Sequence, residues 1–241
     1  GDLGDVSLLP TLDINVDSTL FRHNAEYVRP GYYSLLLNSA IRVELTATKR
    51  VGFHRYSFPA NAKTGNIIMN LKQGIGWDKM TSCGFKQESP NMVTGFRMST
   101  GWAKNQKVYF AIVFSQPVKI LRQNGDSICA FSFDNGNEPI MVKVGISAVS
   151  ADNACKNIEA ELPGWDFNAT VDSAEKAWND ELGKIAIKTD NTHARRIFYT
   201  SMYHTMIAPS VFCDVNGDYR GADGNVHHGD FTNYTTFSLW D

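Results

Sequence analysis

The chain has 241 residues, 43% of them apolar and 20% charged, with 23 basic residues against 25 acidic ones for a formal net charge of -2. This is the composition of a folded globular protein rather than a disordered segment. The near-balanced charge argues against nucleic acid or an anionic membrane surface as partner, and no apolar run reaches the ~20 residues of a membrane span.

The chain opens on Gly1-Asp2-Leu3-Gly4-Asp5, with neither an initiating Met nor a basic stretch leading into an apolar one. Residues 1 to about 165 read as β structure. A short strand at 6–9 is closed by Pro10, and strands at 31–37 and 41–48 follow. The latter alternates, with Ile41, Val43, Leu45 and Ala47 on one face. Further strands are expected at 52–58, 66–71, 93–99, 108–114, 118–121 and 140–147. Turn-forming residues separate them at 61–65, Asn124-Gly125-Asp126 and Asn135-Gly136-Asn137. Many strands with regular turns predict a mainly β fold, a large two-sheet β-sandwich.

The pattern changes near Pro163-Gly164-Trp165. Asp172 or Ser173, with Glu175 behind it, offers a capping box. Ala174, Trp178, Leu182 and Ile185 then share one helical face. After an extended piece at 186–188, Thr192 is placed to cap a second helix striped by Ala194, Ile197, Phe198, Ser201, Met202 and Thr205 and ended by Pro209. A loop rich in Gly and Asp covers 213–230, and Phe237 onward reads as the start of another helix. The expected organisation is a sandwich over 1–168, a helical linker over 169–189 and the beginning of an α-helical domain over 190–241. The final Phe237-Ser238-Leu239-Trp240-Asp241 has no Gly, Pro or polar tail, which predicts a piece of a longer protein.

The chemistry-bearing patterns are few. Asp214, Asn216, Asp218 and Asp223 alternate like a calcium loop, but Gly217 stands in the wrong place and Asn225 occupies the position of the bidentate Glu. A hairpin with an Asn216-Gly217 turn is the plainer reading. His227-His228 has no third ligand at a regular spacing and reads as a pair of loop histidines. His204 reads as a packed helix residue. No nucleophile elbow, phosphate loop or dinucleotide fingerprint is present. Cys83, Cys129, Cys155 and Cys213 form no CxxC motif. Buried thiols are expected, with a Cys83–Cys129 disulfide as the alternative in an oxidising compartment. Trp77, Trp102, Trp165, Trp178 and Trp240 are candidate sugar-stacking rings or core residues. Trp240 beside Asp241 pairs an indole for a pyranose face with a carboxylate for its hydroxyls.

Ordered motifs sharpen this picture. Arg196 to Thr205, Pro209, Asp218-Tyr219-Arg220-Gly221, and the run from Tyr234 to Trp240-Asp241 together resemble glycoside hydrolase family 92, the calcium-dependent exo-acting α-mannosidases. The first part of the chain is similar to the same family. It carries Phe21-Arg22-His23, Glu26, Pro30-Gly31-Tyr32-Tyr33, Glu44 to Thr48 with Arg50, and Gly52-Phe53-His54-Arg55-Tyr56 with Phe58-Pro59. Gly1 to Asp5 resembles the end of a glycine-rich segment near that family's active site.

The resemblance implies a β-sandwich packed on an (α/α)6 barrel, with the active site between them. It implies hydrolysis of terminal mannose, α-1,2-linked, by inversion, with two carboxyls ~6.5–9.5 Å apart to admit water. Calcium is the implied cofactor, mannose-containing glycans the implied partners, and the periplasm or the exterior the implied location. The catalytic acid, the base and the calcium ligands are expected beyond Asp241, so no catalytic or metal residue is assigned in this chain. Asp241 and Trp240, and after them Asp2, are the expected substrate-binding residues. The rival readings are a non-catalytic carbohydrate-binding sandwich and an inverting disaccharide phosphorylase of similar plan. Paired carboxylates after Asp241 would exclude the first, and turnover without phosphate the second.

Overall fold

The computed structural model describes residues 4–16, 18–101, 103–230 and 232. The sandwich strands are β1 (Ser7–Thr11), β2 (Phe21–Arg29), β3 (Tyr32–Leu37), β4 (Arg42–Ala47), β5 (Val51–Ser57), β6 (Thr64–Asn70), β7 (Lys79–Ser89), β8 (Met92–Thr100), β9 (Gln106–Phe114), β10 (Lys119–Asn124), β11 (Ile128–Asp134) and β12 (Ile140–Ser147). They form a four-stranded sheet in the order β1-β6-β11-β10 and an eight-stranded sheet in the order β2-β3-β4-β5-β12-β9-β8-β7. Every pairing in both sheets is antiparallel.

Alternation along the strands builds the core between the sheets. Ile140, Val142 and Val144 of β12 and Phe110, Ile112 and Phe114 of β9 face Ile67 and Met69 of β6 and Phe131 of β11. The odd-numbered residues of β5 and β12 face the other way, towards helices. Those helices are α1 (Ala151–Glu161) and α2 (Phe167–Leu182), and Val51, Phe53, Ala111, Ala154, Ile158, Leu162, Phe167 and Val171 make a second core beneath them. Gly145 shows how close α1 lies to the sheet: a Cβ there would come within 2.5 Å of the Ala154 carbonyl oxygen. Lys143, almost fully buried, donates from Nζ to the Leu162 carbonyl at 2.8 Å and so caps the C-terminal end of α1. A third helix, α3 (Thr192–Thr205), and a hairpin of β13 (Asp218–Arg220) and β14 (Val226–His228) follow.

The structure departs from the expectations in several places. The sandwich strands end at Ser147, and α1 occupies part of what was expected to be β. Its signals are a Ser150 side chain accepting from the Asn153 N–H at 3.1 Å and an Ala154, Ile158, Leu162 spacing of four. Helix α2 begins before Asp172, because Asp166 caps it by accepting from the Ala169 N–H at 2.9 Å. Ile185 falls past its end and is exposed. Asn191, not Thr192, caps α3, and His204 is exposed rather than packed because α3 buries none of its residues in this chain. β2, β7 and β11 were not expected. β2 and β7 are the polar edge strands of the large sheet, where one flank and much of one face meet solvent and alternation is not enforced. β11 is covered on both faces, which erases the alternation in another way. No disulfide joins the four cysteines.

Candidate functional site

The hairpin docks at the corner where β12 gives way to α1. Asp214, just before it, is 5% exposed. Its Oδ2 accepts from the Ser147 hydroxyl at 2.6 Å and from Asn153 Nδ2 at 2.9 Å, and its Oδ1 accepts from Asn157 Nδ2 at 2.8 Å. Asn153 and Asn157 stand one turn apart, so a single face of α1 presents both amides. Asn157 also accepts from the Val215 N–H at 2.9 Å. A carboxylate taken out of water needs donors on both oxygens, and this one has them.

Arg50, in the β4–β5 turn, ties the same corner a second time. Its Nη1 lies 2.5 Å from Glu161 Oε1 at the end of α1, and its Nε donates to the Cys213 carbonyl at 2.5 Å. Arg220 of β13 donates to the Ala148 and Gly224 carbonyls, each at 2.8 Å.

The remaining carboxylates of the hairpin serve the hairpin itself. Asp218 pairs with His228 at 3.0 Å and accepts from Asn153 and Asn216, contacts that lower its pKa. Asp223 accepts from the Asn225 N–H and lies 3.0 Å from His227, and these partners hold it at about 2. His227 and His228, neighbours on one strand, therefore engage different carboxylates, as the two faces of a strand dictate. Asn216-Gly217 opens the hairpin, with Gly217 at φ +87, while the turn between its strands is closed by the Gly224 N–H donating to the Gly221 carbonyl. Among the described residues no group of three or more His, Cys, Asp or Glu converges as a metal site. The oxygens of Asp214, Asp218 and Asp223 are engaged by Ser147, the asparagines and the histidines.

Two strands from Ser147, near the same strand ends, lies Arg97 of β8, which is fully buried. Its Nη1 donates to Asp5 Oδ1 at 2.7 Å and its Nε to the Leu71 carbonyl at 2.9 Å. Nη2 lies 2.6 Å from Asp78 Oδ2, an ion pair by distance whose angle is poor for a hydrogen bond. Gln106 Nε2 completes the shell of Asp5 at 3.0 Å from each oxygen. Burial raises the pKa of Asp5, against the opposing pull of Arg97.

The sandwich motifs that carry the family resemblance mark the surface that receives α2. Arg55 grips Glu44 with two hydrogen bonds, Nε to Oε2 at 2.8 Å and Nη2 to Oε1 at 2.6 Å, and lies over the Phe167 ring at 4.2 Å. Tyr32 donates to the same Glu44 at 2.8 Å, and Arg29 pairs with Glu175 of α2. Burial opposes the charge of Glu44, but the bonds from Arg55 and Tyr32 outweigh it and lower its pKa. Gly31 has φ +81, and a Cβ there would stand 2.9 Å from that of Ala174.

Of the tryptophans, Trp165 packs against Phe53 and the Lys143 ammonium, and Trp178 against Tyr203. Trp77 is 69% exposed. Asp241, Trp240 and Asp2, the expected substrate-binding residues, lie outside the described residues, as does Trp102. The structure does describe the segments that lead to them: Gly4-Asp5 held by Arg97, and the hairpin held through Asp214. Sequence reasoning missed both networks. The Asn153 and Asn157 amides at helical spacing were the one available signal, and it pointed to a partner without naming it.

The described residues thus form a two-sheet sandwich followed by three helices and a hairpin. Residues 1–147 match the glycosyl hydrolase family 92 N-terminal domain, and residues 153–241 match the glycosyl hydrolase family 92 catalytic domain. The chain therefore belongs to glycosyl hydrolase family 92. It superposes over its full length on a family GH92 α-mannosidase from Bacteroides thetaiotaomicron with a TM-score of 0.88 and 29% identity, covering 37% of that protein. That enzyme has also been solved in complex with mannoimidazole. A family GH92 inverting mannosidase from the same organism matches 95% of the chain with a TM-score of 0.82 and 25% identity, of which 34% is covered. A protein of Arthroderma benhamiae described as an uncharacterized secreted glycosidase is 26% identical over 227 residues, 78% of this chain and 29% of its own length. The chain thus spans about a third of the length of these relatives.

Proposed function

We propose that this chain is the N-terminal portion of an exo-acting α-mannosidase that releases terminal, α-1,2-linked mannose from glycans by inversion, with calcium as cofactor. The observation that carries this reading is the superposition of the entire chain on a GH92 α-mannosidase, with both family domains matched in order. The mannoimidazole complex of that relative supports a mannose-type ligand, and an inverting mannosidase among the similar structures supports the stereochemistry. The relative described as secreted supports an extracellular or periplasmic location. Among the described residues no helix is long and apolar enough to cross a membrane.

In this reading the catalytic acid, the base and the calcium ligands belong to the part of the protein beyond Asp241. Asp241 and Trp240 contribute a hydroxyl-binding carboxylate and a stacking ring, with Asp2 as a further contact. Among the described residues, the Asp214 network holds the segment that enters the hairpin, and Arg97 holds Asp5.

The test is turnover of α-1,2-mannobiose by the full-length protein, with the anomer of the released mannose followed by NMR. Initial release of β-mannose, loss of turnover on chelation and recovery with calcium are the expected results, and the 241-residue piece alone should be inactive. Unchanged turnover after chelation would remove calcium from the reading, and a phosphate requirement would identify a disaccharide phosphorylase instead. Asp241→Asn in the full-length enzyme should lower kcat/KM roughly ten- to a hundredfold, the scale of a hydrogen bond to a charged group, while melting normally. A lowered melting point with normal kinetics would make Asp241 a helix cap.

A further inference from the structure

At the Ile140 end of β12, opposite the Ser147 end that receives Asp214, separate segments of chain converge on a cleft of about 400 Å³. Arg55 of β5 lines it, with Trp165, Asp166 and Asn168 at the start of α2 and Glu138 and Met141 where the chain enters β12. Glu138, Asp166 and Asn168 are exposed, whereas Trp165 and Met141 are half-buried. Two carboxylates and an amide therefore share one concave surface with an aromatic and a thioether side chain.

Bonds to the surrounding fold set the orientation of these groups. Asp166 Oδ1 accepts from the Ala169 N–H at 2.9 Å, which fixes the carboxylate and leaves Oδ2 unbonded. Asn168 Oδ1 accepts from Arg55 Nη1 at 3.0 Å, so the unbonded atom of the amide is Nδ2, a donor. Arg55 is itself held by two hydrogen bonds to Glu44 and by the Phe167 ring at 4.2 Å. Trp165 packs against Phe53 with ring centroids 6.1 Å apart, and the Lys143 ammonium lies 4.0 Å from its ring centroid. Among the described residues, Asp166 Oδ2, Asn168 Nδ2 and the Glu138 carboxylate have no hydrogen-bond partner in the protein. Groups whose positions are set before a ligand arrives lose less conformational freedom on binding it.

We propose that this cleft binds a mannose residue of a glycan chain, the choice of sugar resting on the mannosidase reading. Its volume falls in the range of small-molecule sites, roughly 300–1,000 Å³. Each hydroxyl of a pyranose both donates and accepts. Neighbouring hydroxyls that donate to Asp166 and Glu138 and accept from Asn168 Nδ2 match the cleft in number and sense, while the C–H groups of the ring meet the apolar atoms of Trp165 and Met141. A phosphorylated ligand fits poorly, because Glu138 and Asp166 repel it and the charge of Arg55 is already paired with Glu44. The cleft holds the glycan and takes no part in bond breaking.

The experiment compares full-length wild type, Glu138→Ala and Asn168→Ala by affinity electrophoresis through gels containing α-mannan, with melting curves and turnover of α-1,2-mannobiose measured alongside. Wild type should be retarded by mannan. Each variant should bind it about two- to tenfold more weakly, the scale of one hydrogen bond, with the melting point and the mannobiose kcat/KM little changed. If wild type turns over mannobiose and both variants are retarded as strongly as wild type, the cleft assignment is overturned and the mannosidase reading stands. If the variants bind mannan more weakly only in step with a lowered melting point, the two side chains are structural and the assignment again falls. If wild type is retarded, the variants are not, and mannobiose is not hydrolysed, the cleft assignment stands and the mannosidase reading falls. If mannan does not retard wild type, the assignment falls whatever the turnover.

Discussion

The sandwich with its two covering helices and the segment from α3 to the hairpin are held by different forces. The central strands of the eight-stranded sheet bury both faces, one against the smaller sheet and one against α1 and α2, and Phe53, Phe110 and Ile140 are fully enclosed. Helix α3 buries nothing in this chain, and Ile197, Ile207 and Phe212 stand exposed around it. The hairpin is attached through a buried carboxylate and two arginines rather than through an apolar core. A hydrophobic core is non-directional and tolerates adjustment, whereas a buried polar network enforces one geometry. The first region gives the chain its stability, and the second is held in place by directional polar contacts.

Four substitutions or conditions probe this contrast. Phe53→Ala removes a wholly buried ring from beneath α1 and α2 and should cost about 3–5 kcal/mol, measured by denaturant unfolding. A cost near that of a surface substitution would break the claim that the outer face of the sheet is a true core. Asp214→Ala leaves the Asn153 amide only Asp218 and the Asn157 amide only the Ile146 carbonyl as acceptors, and should cost about 1–3 kcal/mol. Its distinguishing effect is local: amide exchange at Asp218–Arg220 should accelerate far more than exchange in β9 or β12. Equal acceleration in all three would mean that the hairpin is not a separate unit.

The third probe is pH. His54 lies 2.6 Å from the Tyr56 hydroxyl, and burial lowers its pKa from 6.5 to about 4. The imidazole is neutral in the fold but takes up a proton near its ordinary value when unfolded. Stability should therefore fall as pH drops from about 6.5 towards 4. His54→Gln should flatten the dependence of melting temperature on pH over that window, and an unchanged slope would remove His54 as its source. The smallest effect belongs to Ile197→Ser, which should change the stability of the 241-residue chain by no more than about 0.5 kcal/mol. A larger loss would show that α3 already packs on the sandwich.

Much of the sandwich was legible in apolar runs bounded by turn residues. Ile41, Val43 and Leu45 announced β4, and residues 108–114 and 140–147 announced β9 and β12. Strands β2 and β7 were silent because they lie at the edges of the sheet, and β11 because it is covered on both faces. Helix α1 carried its signals in only three turns, between strands and a Pro-Gly pair, and was read as a continuation of the sandwich. The polar networks were the least legible part of the site. Asp214 looked like a possible cation ligand in sequence, and only the fold showed that Ser147, Asn153 and Asn157 already occupy its oxygens.

By itself the sequence determined the kind of fold and, through its ordered motifs, the family. Periodicity follows from local geometry, and motif order survives divergence of the residues between. The tertiary structure decided what those motif residues do. Glu44, Arg55, Arg50 and Gly31 bind helices and turns to the sheet, and Arg97 joins Asp5 to Asp78 across more than seventy positions of chain. Which charged groups pair inside a protein depends on distances that only the closed chain creates. A carboxylate waiting for a ligand and one already satisfied by the fold therefore look alike in sequence.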